Sequence, residues 1–180
     1  MFYQYVSKNK AKITLILFIL LVTGIAVMRY LDSFLTTEMV PNGIVSFELA
    51  KESSVSAAMI GSWDIQAKAA AGISLGFDYL FMLFYASFLA MLVLRVNERL
   101  LSGPAGKRWN KLLISAPFIA AFFDMIENVA LIRLLLGDLQ QTWSLMAFYA
   151  ATIKFTILFI VIVYILFGGV ILIFKRKNQV

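Results

Sequence analysis

Four apolar runs divide the 180-residue chain, each close to the roughly 20 residues a helix needs to cross hydrocarbon. They cover about 13–31, 69–94, 112–136 and 144–174. A backbone in lipid must satisfy its own hydrogen bonds, so only helices and closed barrels span a bilayer. These runs are continuously hydrophobic rather than alternating, which argues against barrel strands. The expected fold is an all-α membrane protein: one domain, 1–180, built as a four-transmembrane-helix bundle. Composition agrees. The chain is 62% hydrophobic with a mean hydropathy of +0.88, and 14% of it is charged, where a soluble domain carries about 25%.

The basic residues give the expected orientation. Lys8, Lys10, Lys12, Arg95, Arg99, Lys107, Arg108, Lys111, Lys175, Arg176 and Lys177 fall on one side, and Arg29, Lys51, Lys68 and Arg133 on the other. Eleven against four places both termini in the cytoplasm; the last of the sixteen, Lys154, lies inside the fourth run. The net charge of +6 therefore orients the protein against a membrane, and no nucleic-acid partner is expected. A second reading of the first run stays open. Three lysines ahead of an apolar core and the small residues Gly24-Ile25-Ala26 also fit a secretory signal, which would leave three spans.

Absent residue types narrow the chemistry further. The chain has no Cys and no His. That argues against thiol redox chemistry, haem ligation, the usual zinc sites and His-based nucleophile triads. No metal site and no cofactor are expected. The inner segment Ser102-Gly103-Pro104-Ala105-Gly106-Lys107 has too short a spacing for a phosphate loop, and no Ser or Thr follows its Lys. It reads as a basic turn facing anionic lipid.

The outer segment, 32–68, is the one sizeable piece outside the runs. Pro41-Asn42-Gly43 marks a turn. Ser53 or Ser54 is placed to cap a short helix carrying Val55, Met59 and Trp63 at helical spacing. This amphipathic helical segment either lies on the outer membrane surface with Trp63 as an interfacial anchor, or forms a lid with Phe47 and Glu48 over the bundle mouth.

Ionisable residues inside the apolar runs are the handle on function. A charge at the bilayer centre costs about 2.5–3.5 kcal/mol on insertion scales. Asp124, Glu127, Asn128 and Leu131 share one face of the third helix. Ser74, Asp78 and Tyr85 share a face of the second, whose outer end also carries Gly72-x-x-x-Gly76, a spacing that permits close helix approach. The fourth brings Ala147, Ala150, Ala151 and Lys154 to one face, with Thr152 and Thr156 adjacent. Counted from the run ends at about 1.5 Å per residue, these groups fall in one layer, between the outer half and the midplane. Asp78, Asp124, Glu127, Asn128, Lys154, Tyr85 and Ser74 are thus the candidate ligand-binding residues. Three carboxylates face one Lys there; unless Arg29 or Arg133 reaches inward to reduce the excess, the layer calls for a proton, a hard cation or a cationic ligand. The other reading of these residues is interhelical glue, although such contacts average below about 1 kcal/mol.

Gly43-Ile44-Val45-Ser46-Phe47-Glu48-Leu49-Ala50, Trp63, Phe77-Asp78-Tyr79-Leu80-Phe81 and Asp124-Met125-Ile126-Glu127-Asn128 together resemble a group of small bacterial four-span membrane proteins with no assigned activity. The resemblance extends from the outer segment to Lys154. It implies a multi-pass protein of the bacterial inner membrane, and it groups Glu48 and Trp63 with the buried carboxylates.

Three functions fit these observations. The first is an outward-facing polar site for a small cationic ligand, proton or hard cation, with a transport-related role that needs a homo-oligomer. The second is an accessory subunit whose buried charges pair with a membrane-protein partner. The third is a membrane enzyme acting on a lipid-like substrate through carboxylate and Lys acid–base chemistry. The chain offers no recognisable nucleophile or phosphate motif, which leans away from an enzyme.

Overall fold

The computed structural model describes residues 9–100 and 104–177, and every regular element among them is an α-helix. In chain order these are α1 (Lys10–Asp32), α2 (Ile44–Glu48), α3 (Ser53–Ser62), α4 (Ile65–Leu100), α5 (Pro104–Leu135) and α6 (Gln141–Lys177). Among the described residues three helices are long and apolar enough to cross a membrane: Lys10–Asp32, Ile65–Leu100 and Gln141–Lys175. The chain is therefore a multi-pass membrane protein by its fold. Phe159, Phe167 and Ile173 on α6 are each more than 60% exposed, an apolar surface of the kind that faces lipid or a partner helix.

The helices outrun the apolar runs because backbone hydrogen bonding continues into polar flanks. Lys8 lies outside the described residues, as do Ser102, Gly103 and the side chains of Lys107, Arg108, Arg176 and Lys177. Pro104 to Lys107 open α5 rather than forming a turn. Pro at the first helical position costs nothing, since its missing N–H would have no partner there.

Helices α4, α5 and α6 form the central triad, with α5 packed along both others, and α1 lies against α4. Small residues set the close approaches, though not those expected. A Cβ added at Gly168 on α6 would stand 2.3 Å from Val96 Cγ1, and one at Gly24 on α1 would stand 2.6 Å from Phe81 Cδ2. Gly76 has no neighbour within 4 Å of that position, and Gly72 meets only Leu135 at 3.9 Å. The Gly72–Gly76 spacing is thus a correction: it presents no close helix contact.

The α5–α6 turn follows from Gly137. At φ +95° it adopts the left-handed conformation that ends a helix, and Asp138 N–H donates to Arg133 O while Gly137 N–H donates to Leu134 O. Asp138 then accepts from Trp143 Nε1 at 2.7 Å, and the Arg133 guanidinium lies 5.5 Å from the Trp143 ring. Helices α5 and α6 are fixed as antiparallel neighbours.

The outer segment packs into the mouth of the bundle. Leu35, Val40 and Phe47 are fully buried, and they share a core with Ala71, Leu75, Leu131 and Leu134 of α4 and α5. Gly43 (φ +55°) allows the chain to turn back so that Ile44 N–H donates to Asp32 Oδ1 at 2.7 Å. Neither Ser53 nor Ser54 caps α3. Its first N–H, from Ser53, donates instead to Gln141 Oε1 at 2.9 Å, and Gln141 Nε2 donates to Lys51 O. Ser56 and Met59 are the buried residues of α3, and Val55 faces outward. Trp63, just beyond α3, is 2% exposed and donates its indole N–H to Leu35 O, so it anchors the segment from within rather than at the lipid interface.

Candidate functional site

The polar face of α5 is turned into the bundle. Asp124, Glu127, Asn128 and Leu131 are all buried, while Met125 and Val129 on the opposite side are about two-fifths exposed. Helix α6 lays Ala147, Ala150 and Ala151 against the bundle, and these small side chains leave room for the long stem of Lys154 to reach across. Thr152 and Thr156 do not join the site. Each is exposed and returns its hydroxyl proton to a carbonyl of its own helix, of Phe148 and Thr152 respectively.

Lys154 is the hub. Its Nζ donates to Asp124 Oδ1 at 2.8 Å and to Glu127 Oε1 at 3.0 Å, and lies 2.8 Å from Glu127 Oε2. Glu48 Oε2 stands 3.6 Å away, close enough to pair but beyond a hydrogen bond. Tyr85 OH donates to Asp124 Oδ2 at 2.7 Å, and Asn128 Nδ2 donates to Asp78 Oδ2 at 2.7 Å. At about 1.5 Å per residue, Asp78 and Lys154 both sit about 20 Å from the N-terminal ends of α4 and α6, and Asp124 about 17 Å from the C-terminal end of α5. All three ends lie beside the 32–68 segment. Helices α4, α5 and α6 therefore deliver their polar groups to one level, and α2 adds Glu48 from above.

Of the residues singled out from sequence, Asp78, Tyr85, Asp124, Glu127, Asn128 and Lys154 come together, joined by Glu48. Ser74 stands apart: its hydroxyl donates to Met28 Sδ at 3.7 Å, tying α4 to α1. Phe47 and Trp63 pack edge to face with ring centres 5.3 Å apart and hold Glu48 in place without touching the cluster's polar atoms. Glu48 is the one site residue from outside the runs. Burial raises its carboxyl above the ordinary value, partly opposed by the Lys154 charge.

Sequence reasoning missed a second polar set at the opposite end of the bundle from the 32–68 segment. Asn97, 1% exposed, donates to Asn110 Oδ1 at 2.7 Å and accepts from Tyr164 OH, and Lys10 pairs with Glu98. Asn97 lies past the end of the second run, between Arg95 and Arg99, so no sequence signal marked it for burial.

Three carboxyls, those of Glu48, Asp124 and Glu127, thus surround one ammonium, and a fourth, that of Asp78, is held by Asn128. Glu48 Oε2 is buried without a hydrogen-bond partner, and the buried Glu127 Oε2 has the Lys154 ammonium 2.8 Å away. Removing charges from water costs several kcal/mol each, and one Lys offsets only part of that. The cluster borders a cavity of about 380 Å³ whose polar lining is Glu48, Asp78, Tyr85, Asp124 and Lys154. Among the described residues no three acidic groups are arranged to hold a metal ion.

No family model, curated protein or solved structure matches this chain.

Proposed function

We propose that this chain is a four-span protein of the bacterial inner membrane, with both termini cytoplasmic, whose carboxylate–Lys cluster binds a small cationic ligand in exchange for protons. Helix α5 is the fourth span in this reading. Its 32 residues are long enough, its charged groups inside the bundle face α4 and α6, and its flanks are basic on the inner side. The excess of carboxyls over ammonium carries the proposal. Glu48, Asp124 and Glu127 share Lys154 as their one cationic partner and Asp78 accepts only from the neutral Asn128, so positive charge is short at a site bordering an open cavity.

A proton or an organic cation suits the cluster better than a bare metal ion, given the absence of a metal-holding arrangement among the described residues. A transport-related role follows if the ligand moves on, and four helices would then act as a homo-oligomer. The test uses the protein in lipid nanodiscs. Thermal midpoints of wild type and Glu127→Gln are compared across pH and with added sodium or methylammonium. Wild type should gain stability with acid or with an added cation, and the variant, one negative charge poorer, should gain less. Parallel responses in every condition would remove the reading.

A further inference from the structure

The cavity beside the cluster has two kinds of wall. Its floor is the polar set of Glu48, Asp78, Tyr85, Asp124 and Lys154. Its sides are apolar: Leu21 and Met28 of α1, Phe81 and Phe88 of α4, Phe155 and Leu158 of α6. Helix α1 packs along α4, and its contact with α6 is slight by comparison. The gap between α1 and α6 therefore faces the bilayer, while Ile44, Val45 and Glu48 of the outer segment cover the cavity from the outer side.

We infer that the ligand is an amphiphilic amine that enters from the lipid between α1 and α6, its ammonium on the carboxylates and its hydrocarbon body on the apolar walls. This deepens the cationic-site reading and rests on it. Charge complementarity selects the head group. Three carboxyls and one ammonium line the cavity, and one of those three, Glu48, has a buried oxygen without a hydrogen-bond partner. An ammonium brings donors and positive charge together, which an alcohol or a fatty acid does not. Aromatic rings add to this: the Phe155 ring already lies 4.6 Å from an ammonium, that of Lys154, and Phe81 and Phe88 also line the cavity. The apolar sides select the body. A volume of about 380 Å³ suits a compact ligand with a short chain rather than a whole phospholipid. Access from the bilayer also removes the need to open the packed outer segment, where Leu35, Val40 and Phe47 are fully buried.

The test compares three probes on the full chain in phosphatidylcholine nanodiscs, with the thermal midpoint as readout: octylammonium, methylammonium and octanol. Octylammonium should act at a concentration at least about tenfold below that of methylammonium, because each buried methylene adds affinity. Octanol should produce no comparable shift. Leu158→Trp, which fills the cavity from α6, should abolish the octylammonium shift and leave that of methylammonium. If methylammonium matches octylammonium, the cationic site stands and lateral access by an amphiphile falls. If octanol matches octylammonium, the cavity takes a chain without using charge, and the amine assignment falls. If neither amine acts, both this inference and the cationic-site reading fall together.

Discussion

Glu48 Oε2, carried by a five-residue helix of the outer segment, lies 3.6 Å from Lys154 Nζ, deep within α6. This pair joins the part of the chain outside the apolar runs to the charged layer between the helices. It also explains why the outer segment is so firmly fixed. Gly43 and Asp32 turn the chain into α2, Phe47 and Trp63 wedge it, and Gln141 clamps the start of α3. A carboxylate aimed into the bundle is what that packing positions.

The Glu48 carboxyl should leave a signature in the pH dependence of stability. In the unfolded chain it titrates near 4.5, and burial raises it in the fold, with Lys154 opposing and Asp124 reinforcing. Between the two values the native state holds a proton that the unfolded chain has released. Stability therefore falls as pH rises through that window. Glu48→Gln has no proton to lose, so its thermal midpoint should fall less steeply than that of wild type above about pH 4.5. Equal slopes would show that Glu48 is exposed to solvent in the membrane-embedded protein.

Removing the ammonium should be costly. Lys154→Met leaves Asp124 and Glu127 without their partner, and breaking a buried pair from one side costs about 3–5 kcal/mol. Combining it with Glu127→Gln should recover part of that loss, because one of the stranded charges disappears. Reversible unfolding in mixed micelles measures all four corners of the cycle. Strict additivity would mean that the two groups do not interact across α5 and α6.

Close packing gives a prediction independent of charge. Gly168→Val places side-chain atoms where Val96 already stands, and overpacking of this kind costs about 1–3 kcal/mol. Gly76→Ala meets open space and should stay within about 0.5 kcal/mol of wild type. Unfolding midpoints rank the two. The reverse order would place the close approach at the Gly72–Gly76 spacing after all.

Those glycines show where the sequence was readable and where it was not. Helical spacing alone placed Asp124, Glu127 and Asn128 on one inward face, because a polar stripe in an apolar helix has a single tolerable direction. Depth counted from run ends aligned Asp78 with Lys154, because helix rise is constant. Which small residues touch depends on helix rotation and partner, and spacing does not encode that; hence Gly168 and Gly24 make contacts that Gly76 does not. Ser74 shared a face with Asp78 yet bonds to Met28, since α1 was not placed against that face from sequence. The stripe Val55, Met59, Trp63 was legible as helical, but its target was not. Burial of Ser56 beside Ser144, with hydroxyls 3.1 Å apart, turns α3 partly away from that stripe.

The most direct test of a cation-deficient site is Asp78→Asn. Asn at this position can still accept from Asn128, so the hydrogen bond between α4 and α5 survives while one negative charge is lost. Its thermal midpoint in nanodiscs should match or exceed that of wild type without added cation, and its gain on adding methylammonium should shrink. A site held for function rather than for stability behaves this way. A midpoint below wild type, with the methylammonium response intact, would contradict the account and leave the buried charges as structural ties between helices.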